Sequence, residues 1–162
     1  LNYMLDRKPT ISGVIASAPF ITPGAPISKV LIFIGKIMSA IYPALPLDNG
    51  LDLNNLSTDP AIIEAYKADP LVHGKVSARL AARMLKYADR LVNFKGKFPA
   101  PLLIMHGEKD ILTGPDGSKL FANNISSPVS IKIWEKDYHE IHNGTSKKDV
   151  WDMTFEWMNS LS

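Results

Sequence analysis

The sequence of 162 residues contains no cysteine. This absence excludes a disulfide framework, a thiolate zinc site and a cysteine nucleophile. The formal net charge of +2 is too small for the electrostatic footprint of a nucleic-acid-binding protein. The lack of cysteine fits a reducing compartment, and we expect a cytoplasmic protein without a nucleic-acid partner.

Long uninterrupted apolar runs are missing too. The most apolar segment, residues 30–47, is interrupted by Lys36, and Pro43 ends its helical potential. A membrane-spanning helix needs about 20 consecutive apolar residues. The opening stretch "LNYMLDRK" is charged from Asp6 onwards and lacks the apolar core of a signal peptide. We therefore expect neither a membrane span nor a signal peptide in these residues.

What the chain does contain is an apolar content of 46%, with 21% charged residues, which indicates one globular domain with a real core. The segments 11–20 and 101–106 are apolar without polar alternation, as is typical of parallel strands covered on both faces. The other elements predicted outside the middle of the chain are a helix end at 1–7, a helix over 116–125 capped by Asp116, a strand over 129–136 and a helix over 147–162. This alternation predicts an α/β fold with a mostly parallel sheet and helices on both faces.

Residues 23–98 interrupt this pattern. Proline and glycine cluster at its start, and amphipathic helices are predicted over 29–42, 60–69 and 77–93. The apolar side of the first helix contains Val30, Ile34, Ile37, Met38 and Ile41. This side could contact a lipid or pack inward on the core, and the sequence leaves both alternatives open. The middle of the chain is thus predicted to be a helical insertion between two parts of one α/β layer.

Two polar loops follow the predicted strands of the C-terminal part. The first contains Asp110 and the second contains His139. Loops at the carboxyl ends of neighbouring parallel strands meet at one edge of the sheet. A carboxylate there can accept the histidine Nδ1–H and leave the other ring nitrogen free as a base. Each residue alone has an ordinary alternative, a turn aspartate or a solvated loop histidine, but the pair predicts an acid–base site.

The other three of the four histidines are expected to have lesser roles. His106 ends an apolar strand and is predicted to be a packed strand-end residue, whereas His73 is predicted to be exposed. His139 and His142 do not have the helical H-E-x-x-H spacing of a zinc site, so we expect no metal.

A nucleophile to complete such a site is not evident in the sequence. None of the ten glycines belongs to a G-x-S-x-G turn, which presents the nucleophilic serine in α/β-hydrolases. Ser17 and Ser118 lie near a strand end and a helix start, but neither occupies a turn of this kind. The chain therefore offers a base and its orienting acid without a convincing nucleophile.

Several stretches resemble one family. "PLLIMHGEKDILTGPDGSKLF", followed by "IKIWEKDYHEIHN", resembles the C-terminal half of monoacylglycerol lipases and related serine aminopeptidase or lysophospholipase-type α/β-hydrolases. "IASAPFI" is similar to the strand that follows the nucleophile helix in that family. "DNGLDLNNLSTDPAIIEAYKADPLVHGKVSARLA" resembles the cap of its microbial and fungal members. The resemblance covers essentially the whole chain.

The resemblance implies a division of the chain and a role for each part. Residues 1–22 and 99–162 would belong to the hydrolase core, and 23–98 would form a helical cap or lid. Asp110 would be the triad acid, His139 the general base, and His142 would line the alcohol side of the pocket. The first strands and the nucleophile turn would lie outside these 162 residues, so that the chain by itself would be inactive.

The substrate implied by the resemblance is a monoacylglycerol, hydrolysed to a fatty acid and glycerol without a cofactor. Ile34 and Met38 on the cap are the predicted acyl contacts, and the same apolar surface could rest on a membrane or a lipid droplet. A lysophospholipid, another ester or a peptide remains an alternative substrate. A non-catalytic binding or interaction module descended from a hydrolase is the alternative from a different class.

Overall fold

The computed structural model describes residues 1–161, whose regular structure consists of six α-helices and five strands. In chain order the elements are α1 (Asn2–Arg7), β1 (Val14–Ser17), α2 (Lys29–Ile41), β2 (Pro46–Asp48), α3 (Pro60–Ala68), β3 (Lys75–Ser77), α4 (Ala78–Val92), β4 (Leu102–Gly107), α5 (Pro115–Asn124), β5 (Val129–Trp134) and α6 (Lys147–Asn159).

Strands β1, β4 and β5 form a parallel sheet in the order β1-β4-β5. Leu102 of the central strand pairs with Val14 on one side and with Val129 on the other. All six residues of β4 are buried. A strand covered on both faces needs no alternation of polar and apolar residues, which explains why this segment is a continuous apolar run.

Each face of the sheet has its own apolar cluster, because successive residues of a strand point to opposite faces. Leu102 and Ile104 pack with side chains from α1, α4 and α5, including the fully buried Phe121. Leu103 and Met105 pack with side chains from α6 and the loop before it. Helices therefore cover both faces of a parallel sheet, and the predicted fold class is confirmed.

The middle of the chain is helical, as predicted, but it also contains a small second sheet. Strands β2 and β3 pair antiparallel, with Leu47 opposite Val76. The sequence analysis missed this pair of strands because three-residue strands are too short to show a hydrophobic period. Helix α2 packs against α4, and Asp59 caps α3 by accepting a hydrogen bond from the Ala61 backbone N–H.

Helix α2 leaves most of its apolar side open to solvent. None of its residues is fully buried, and the exposed fractions of Val30, Phe33 and Ile41 are 66%, 63% and 75%. This side of the helix does not pack on the core. Among the described residues, no helix combines the length and the hydropathy needed to cross a bilayer.

Several local predictions need correction. Strand β1 covers only Val14–Ser17 of the predicted segment 11–20, and Ile15 and Ser17 are exposed, so this strand is not covered on both faces. Helix α6 ends at Asn159, whereas the predicted helix ran to residue 162, which lies outside the described residues.

Helix α5 begins at Pro115 with Gly114 as its N-cap, so the expectation that Asp116 caps it is wrong. Proline is favoured at the first helical position because its missing N–H would have no partner there, and this signal was overlooked. Strand β5 ends at Trp134 and not at residue 136.

The division into core and cap stays a prediction. Residues 23–98 contain α2, α3, α4 and the small two-stranded sheet. Leu91 of α4 and Phe98 are buried in the same cluster as Met4 of α1. The C-terminal end of the proposed cap is therefore packed into the core.

Candidate active site

Asp110 lies in a tight turn directly after β4. Its backbone N–H donates to the carbonyl oxygen of Gly107, 3.2 Å away. Gly107 must be a glycine for steric reasons, because a Cβ at this position would lie 2.0 Å from the backbone oxygen of Tyr138. The turn after β4 and the loop after β5 thus pass each other in close contact.

His139 lies in the loop after β5, which is tied to the Asp110 turn by backbone hydrogen bonds. Glu108 N–H donates to the Trp134 oxygen at 2.9 Å, and Lys109 N–H donates to the Asp137 oxygen at 3.1 Å. Both loops leave the carboxyl ends of adjacent parallel strands, where polar side chains converge in open α/β sheets.

The two side chains meet as the sequence analysis predicted. His139 Nδ1 lies 2.8 Å from Asp110 Oδ2. A carboxylate can only accept, so Nδ1 carries the proton and donates it. In residues 1–161 no hydrogen bond occupies the opposite ring nitrogen, Nε2. The side chain of His139 is 29% exposed and that of Asp110 is 0% exposed, so the imidazole separates a buried charge from solvent.

The Asp110 carboxylate is held by five donors. Oδ1 accepts from the backbone N–H groups of Leu112 at 2.8 Å and Thr113 at 3.0 Å. Oδ2 accepts from the Thr113 hydroxyl at 2.8 Å, from His106 Nε2 at 3.0 Å and from His139. The pKa of the Asp110 carboxyl lies well below its usual range: burial alone raises it, and hydrogen bonds from the two imidazoles and a backbone amide lower it by more. The group is therefore a permanent anion at neutral pH.

A second histidine, His106, contacts Asp110 and is hydrogen-bonded on its other side to a serine. His106 Nδ1 lies 2.8 Å from Ser118 Oγ, and its Nε2 faces Asp110. The hydrogen bonds from Ser118 to His106 and from His106 to Asp110 connect the same residue types as a catalytic triad. Ser118 and His106 are both 0% exposed, however, and no ester carbonyl can reach a hydroxyl in the core. This serine is not a nucleophile in this arrangement.

The loop that carries His139 is fastened by residues 56–58 of the middle segment. The Leu56 oxygen accepts from Glu140 N–H at 2.8 Å, and the Ser57 hydroxyl donates to the Asn143 oxygen at 2.9 Å. Thr58 Oγ1 accepts from Thr145 N–H at 2.9 Å. These three contacts, from three consecutive residues, connect the predicted cap to the loop of the predicted base.

The contacts that the structure shows for the other predicted site residues are to other groups. His142 packs edge-to-face against Trp151 of α6, with ring centroids 6.4 Å apart. Ile34 and Met38 lie on α2, which packs against α4, and Ile34 is half exposed. The substrate-binding roles of these three residues stay predictions. Within residues 1–161, no group of three or more potential metal ligands is assembled.

Sequence reasoning missed the supporting residues of the site. Thr113 donates its hydroxyl to Asp110, and its oxygen also lies 3.1 Å from His139 Nδ1. Threonine in a polar turn gives no distinctive signal. His106 could have been recognised, since an imidazole at the end of a buried strand needs partners for both ring nitrogens.

Comparison with known proteins places this geometry in a family. The family model described as serine aminopeptidase, S33, matches residues 1–146. The chain is 34% identical over 151 residues to a monoacylglycerol lipase of Mycolicibacterium smegmatis, covering 92% of this chain and 54% of that protein. The chain thus spans about half the length of that curated relative.

Solved structures show the same likeness. The monoacylglycerol lipase of Paleococcus ferrophilus matches with a TM-score of 0.94 and 29% identity, covering 99% of this chain and 63% of that one. A soluble variant of monoglyceride lipase from Saccharomyces cerevisiae, in complex with a substrate analog, matches with a TM-score of 0.85 and 26% identity, covering 99% of this chain and 57% of that one. With its parallel sheet and paired Asp110 and His139, the chain belongs to the serine aminopeptidase S33 family of α/β-hydrolases.

Proposed function

We propose that this chain supplies the general base, His139, and its orienting acid, Asp110, to a serine ester hydrolase. The observation that carries the proposal is the 2.8 Å contact between His139 Nδ1 and Asp110 Oδ2, with Nε2 left free on the solvent side. Membership of the S33 family supports it. The 162 residues contain no G-x-S-x-G turn, so the proposal places the nucleophilic serine outside them.

The proposed mechanism follows from this geometry. His139 Nε2 takes the proton of the serine hydroxyl while the serine oxygen attacks the ester carbonyl. Asp110 stabilises the resulting imidazolium without taking its proton. Nε2 then gives the proton to the departing alcohol oxygen, and an acyl-serine remains. A water molecule, deprotonated by the same nitrogen, releases the carboxylic acid and restores the serine.

The proposed substrate is a monoacylglycerol, split into a fatty acid and glycerol. This choice is supported by relatives that are named as monoacylglycerol lipases, one of them solved with a substrate analog. Ile34 and Met38 are proposed to contact the acyl chain, and His142 is proposed to line the alcohol side of the pocket. A lysophospholipid or another ester is the alternative substrate for the same machinery.

We also propose that α2 rests on a lipid surface while the protein itself is cytoplasmic. The exposed side chains of Val30, Phe33 and Ile41 would enter the apolar region of a membrane or droplet. Lys29 and Lys36 are exposed on the same helix and would favour anionic lipids.

The proposed activity is tested on the complete polypeptide that contains these residues. A fluorophosphonate probe is expected to label it, and His139→Ala is expected to slow labelling by at least about 10³-fold, since an undeprotonated serine is a weak nucleophile. His73→Ala is the matched control, because His73 is exposed and its Nδ1 accepts a local hydrogen bond from Lys75 N–H, 3.3 Å away. Absence of labelling in the wild-type protein, or undiminished labelling in His139→Ala, would contradict the proposal.

The intact mass of the native protein separates the enzyme from a non-catalytic module. A mass near 17.9 kDa would leave no room for a nucleophile-bearing segment and would favour a binding module. Rates with glycerol monoesters, lysophospholipids and short esters then identify the substrate class. A higher rate with lysophospholipids or short esters than with glycerol monoesters would contradict the monoacylglycerol assignment.

The surface contact is tested by co-sedimentation with anionic vesicles of phosphatidylcholine and phosphatidylserine. Phe33→Ser is expected to weaken binding roughly tenfold or more, because a buried aromatic side chain contributes about 1.5–3 kcal/mol. Leu71→Ser is the control: Leu71 is 87% exposed but lies outside α2. Equal effects of the two changes would refute a specific role for α2.

A further inference from the structure

A second imidazole shares the carboxylate oxygen that holds His139. His106 Nε2 lies 3.0 Å from Asp110 Oδ2, and His139 Nδ1 lies 2.8 Å from the same atom. An acid–base pair needs only one of these imidazoles. The other is buried where it can meet neither solvent nor substrate, so its contribution must pass through Asp110.

The partners of His106 fix the position of its proton. Nε2 faces the Thr113 carbonyl oxygen at 2.7 Å as well as the Asp110 carboxylate. Both groups can only accept, so Nε2 carries the proton. Nδ1 of the neutral ring is then an acceptor, and the Ser118 hydroxyl, 2.8 Å away, donates to it. Every polar atom of the ring is satisfied without a positive charge.

The branch through His106 is also the rigid side of the site. His106 is the fifth residue of the central strand β4, and Ser118 lies in the buried part of α5. Both residues are 0% exposed, in a close-packed interior. His139, in contrast, lies in a loop and its side chain is 29% exposed. The ring of His106 is therefore held in place by its surroundings, whereas the ring of His139 has to be oriented by its partners.

We propose that His106, held from behind by Ser118, is a positioning residue that fixes Asp110 Oδ2 so that the carboxylate keeps His139 in its Nδ1–H tautomer. Without His106, Oδ1 would keep its two backbone donors and Oδ2 would keep the Thr113 hydroxyl, but the position of Oδ2 would be less tightly fixed and its hydrogen bond to His139 would weaken. His139 would then populate the Nε2–H tautomer, in which the nitrogen needed as a base carries a proton. This catalytic consequence rests on the proposed function, whereas the tautomer of His139 is a property of this chain alone.

The experiment is long-range ¹H–¹⁵N NMR of the histidine rings in the chain itself, which distinguishes protonated from unprotonated ring nitrogens. In the wild-type chain, at a pH where the rings are neutral, His106 is expected as the Nε2–H tautomer and His139 as the Nδ1–H tautomer. A His106 ring protonated at Nδ1 alone would overturn the proposal without any variant.

Two amide variants provide a matched pair. His106→Gln keeps an N–H near the position of Nε2, and His106→Asn has an amide that reaches only as far as Nδ1. In His106→Asn the ratio of Nδ1–H to Nε2–H tautomer of His139 is expected to fall roughly three- to tenfold, the factor that corresponds to one hydrogen bond. In His106→Gln it is expected to stay within about twofold of the wild type. A merely structural role would affect both variants alike.

The outcomes separate this inference from the proposed function, because no substrate or nucleophile is involved. An unchanged His139 tautomer ratio in a folded His106→Asn chain overturns the inference, even if the complete protein is an active esterase. A fall in His106→Asn with recovery in His106→Gln supports it, even if no esterase activity is found. If His106→Asn does not fold, the inference is still overturned by a wild-type His106 ring protonated at Nδ1 alone, or by a His139 tautomer ratio in His106→Gln that departs from the wild type by more than about twofold.

Discussion

Replacement of Asp110 by asparagine tests the electrostatic centre of the site. The amide oxygen of Asn can still accept from the backbone N–H groups that now reach Oδ1. The amide nitrogen would stand where Oδ2 accepts from His106, His139 and the Thr113 hydroxyl. Three charge-assisted hydrogen bonds are lost in a change that hardly alters the volume of the side chain.

The size of the destabilisation depends on which other acceptors the three donors can still reach in the variant. A hydrogen bond to a charged group contributes about 1.5–3 kcal/mol. His106 Nε2 retains the Thr113 carbonyl at 2.7 Å, and the Thr113 hydroxyl retains the Ala18 oxygen at 3.3 Å. His139 Nδ1–H exchanges the charged carboxylate for the neutral Thr113 hydroxyl oxygen at 3.1 Å, and solvent reaches that ring. We therefore expect Asp110→Asn to lower the free energy of unfolding by about 2–4 kcal/mol at pH 7.

The difference in free energy of unfolding between wild type and Asp110→Asn should depend on pH in one direction only. The pKa of Asp110 is lower in the folded chain than its usual value of about 3.9. Its stabilising contribution is therefore fully present above about pH 4–5 and is lost as the pH falls through the lower, folded-state pKa. The difference in free energy of unfolding between wild type and Asp110→Asn should be constant at neutral pH and should decrease only at acid pH.

The assay is urea unfolding followed by tryptophan fluorescence at a series of pH values from 3 to 8. Asp116→Asn is the matched control, since the Asp116 side chain is 93% exposed and its one ion pair within residues 1–161 is with Lys119 at 3.4 Å. This control is expected to change stability by less than about 0.5 kcal/mol. A gap below about 1 kcal/mol at pH 7, or a gap that stays unchanged down to pH 3, would refute this account of the Asp110 network.

Two further predictions concern the loops around the site. Gly107→Ala is expected to destabilise the chain by at least about 2 kcal/mol in urea unfolding, because the new Cβ would lie 2.0 Å from the Tyr138 oxygen. Gly35→Ala, in the interior of α2 with nothing within 4 Å, should instead stabilise by about 0.5–1 kcal/mol, and equal effects would contradict the steric argument. Thr58→Val removes the acceptor of Thr145 N–H, and hydrogen exchange of that amide should become roughly tenfold faster. Unchanged exchange there would mean that the middle segment does not fasten the histidine loop.

The sequence predicted the elements that have long, uniform patterns. The run around Leu102–Gly107 is apolar on both faces, and only a buried central strand satisfies it. Asp110 follows this strand and His139 follows the next predicted strand, and loops at the carboxyl ends of neighbouring parallel strands lie at one sheet edge, so the pairing of Asp110 with His139 could be foreseen. The antiparallel pairing at Leu47 and Val76 could not, because it joins distant residues through strands of three residues each.

The exposure of α2 was likewise outside the reach of the sequence. A helical apolar stripe predicts that one side avoids water but not what covers it. Only the tertiary structure shows that the side with Phe33 and Ile41 faces outward while α4 supports the other.

By itself, then, the sequence indicated the layer architecture and the candidate residues for proton transfer, because hydrophobic periodicity and the succession of elements along the chain can be read from the sequence. The tertiary structure alone decided how Asp110 is held. Its carboxylate is shared between an imidazole from the buried centre of the sheet and one from a surface loop. No spacing along the chain encodes such sharing, because it depends on rotamers and hydrogen-bond distances that exist only when β4, α5 and the two loops are packed together.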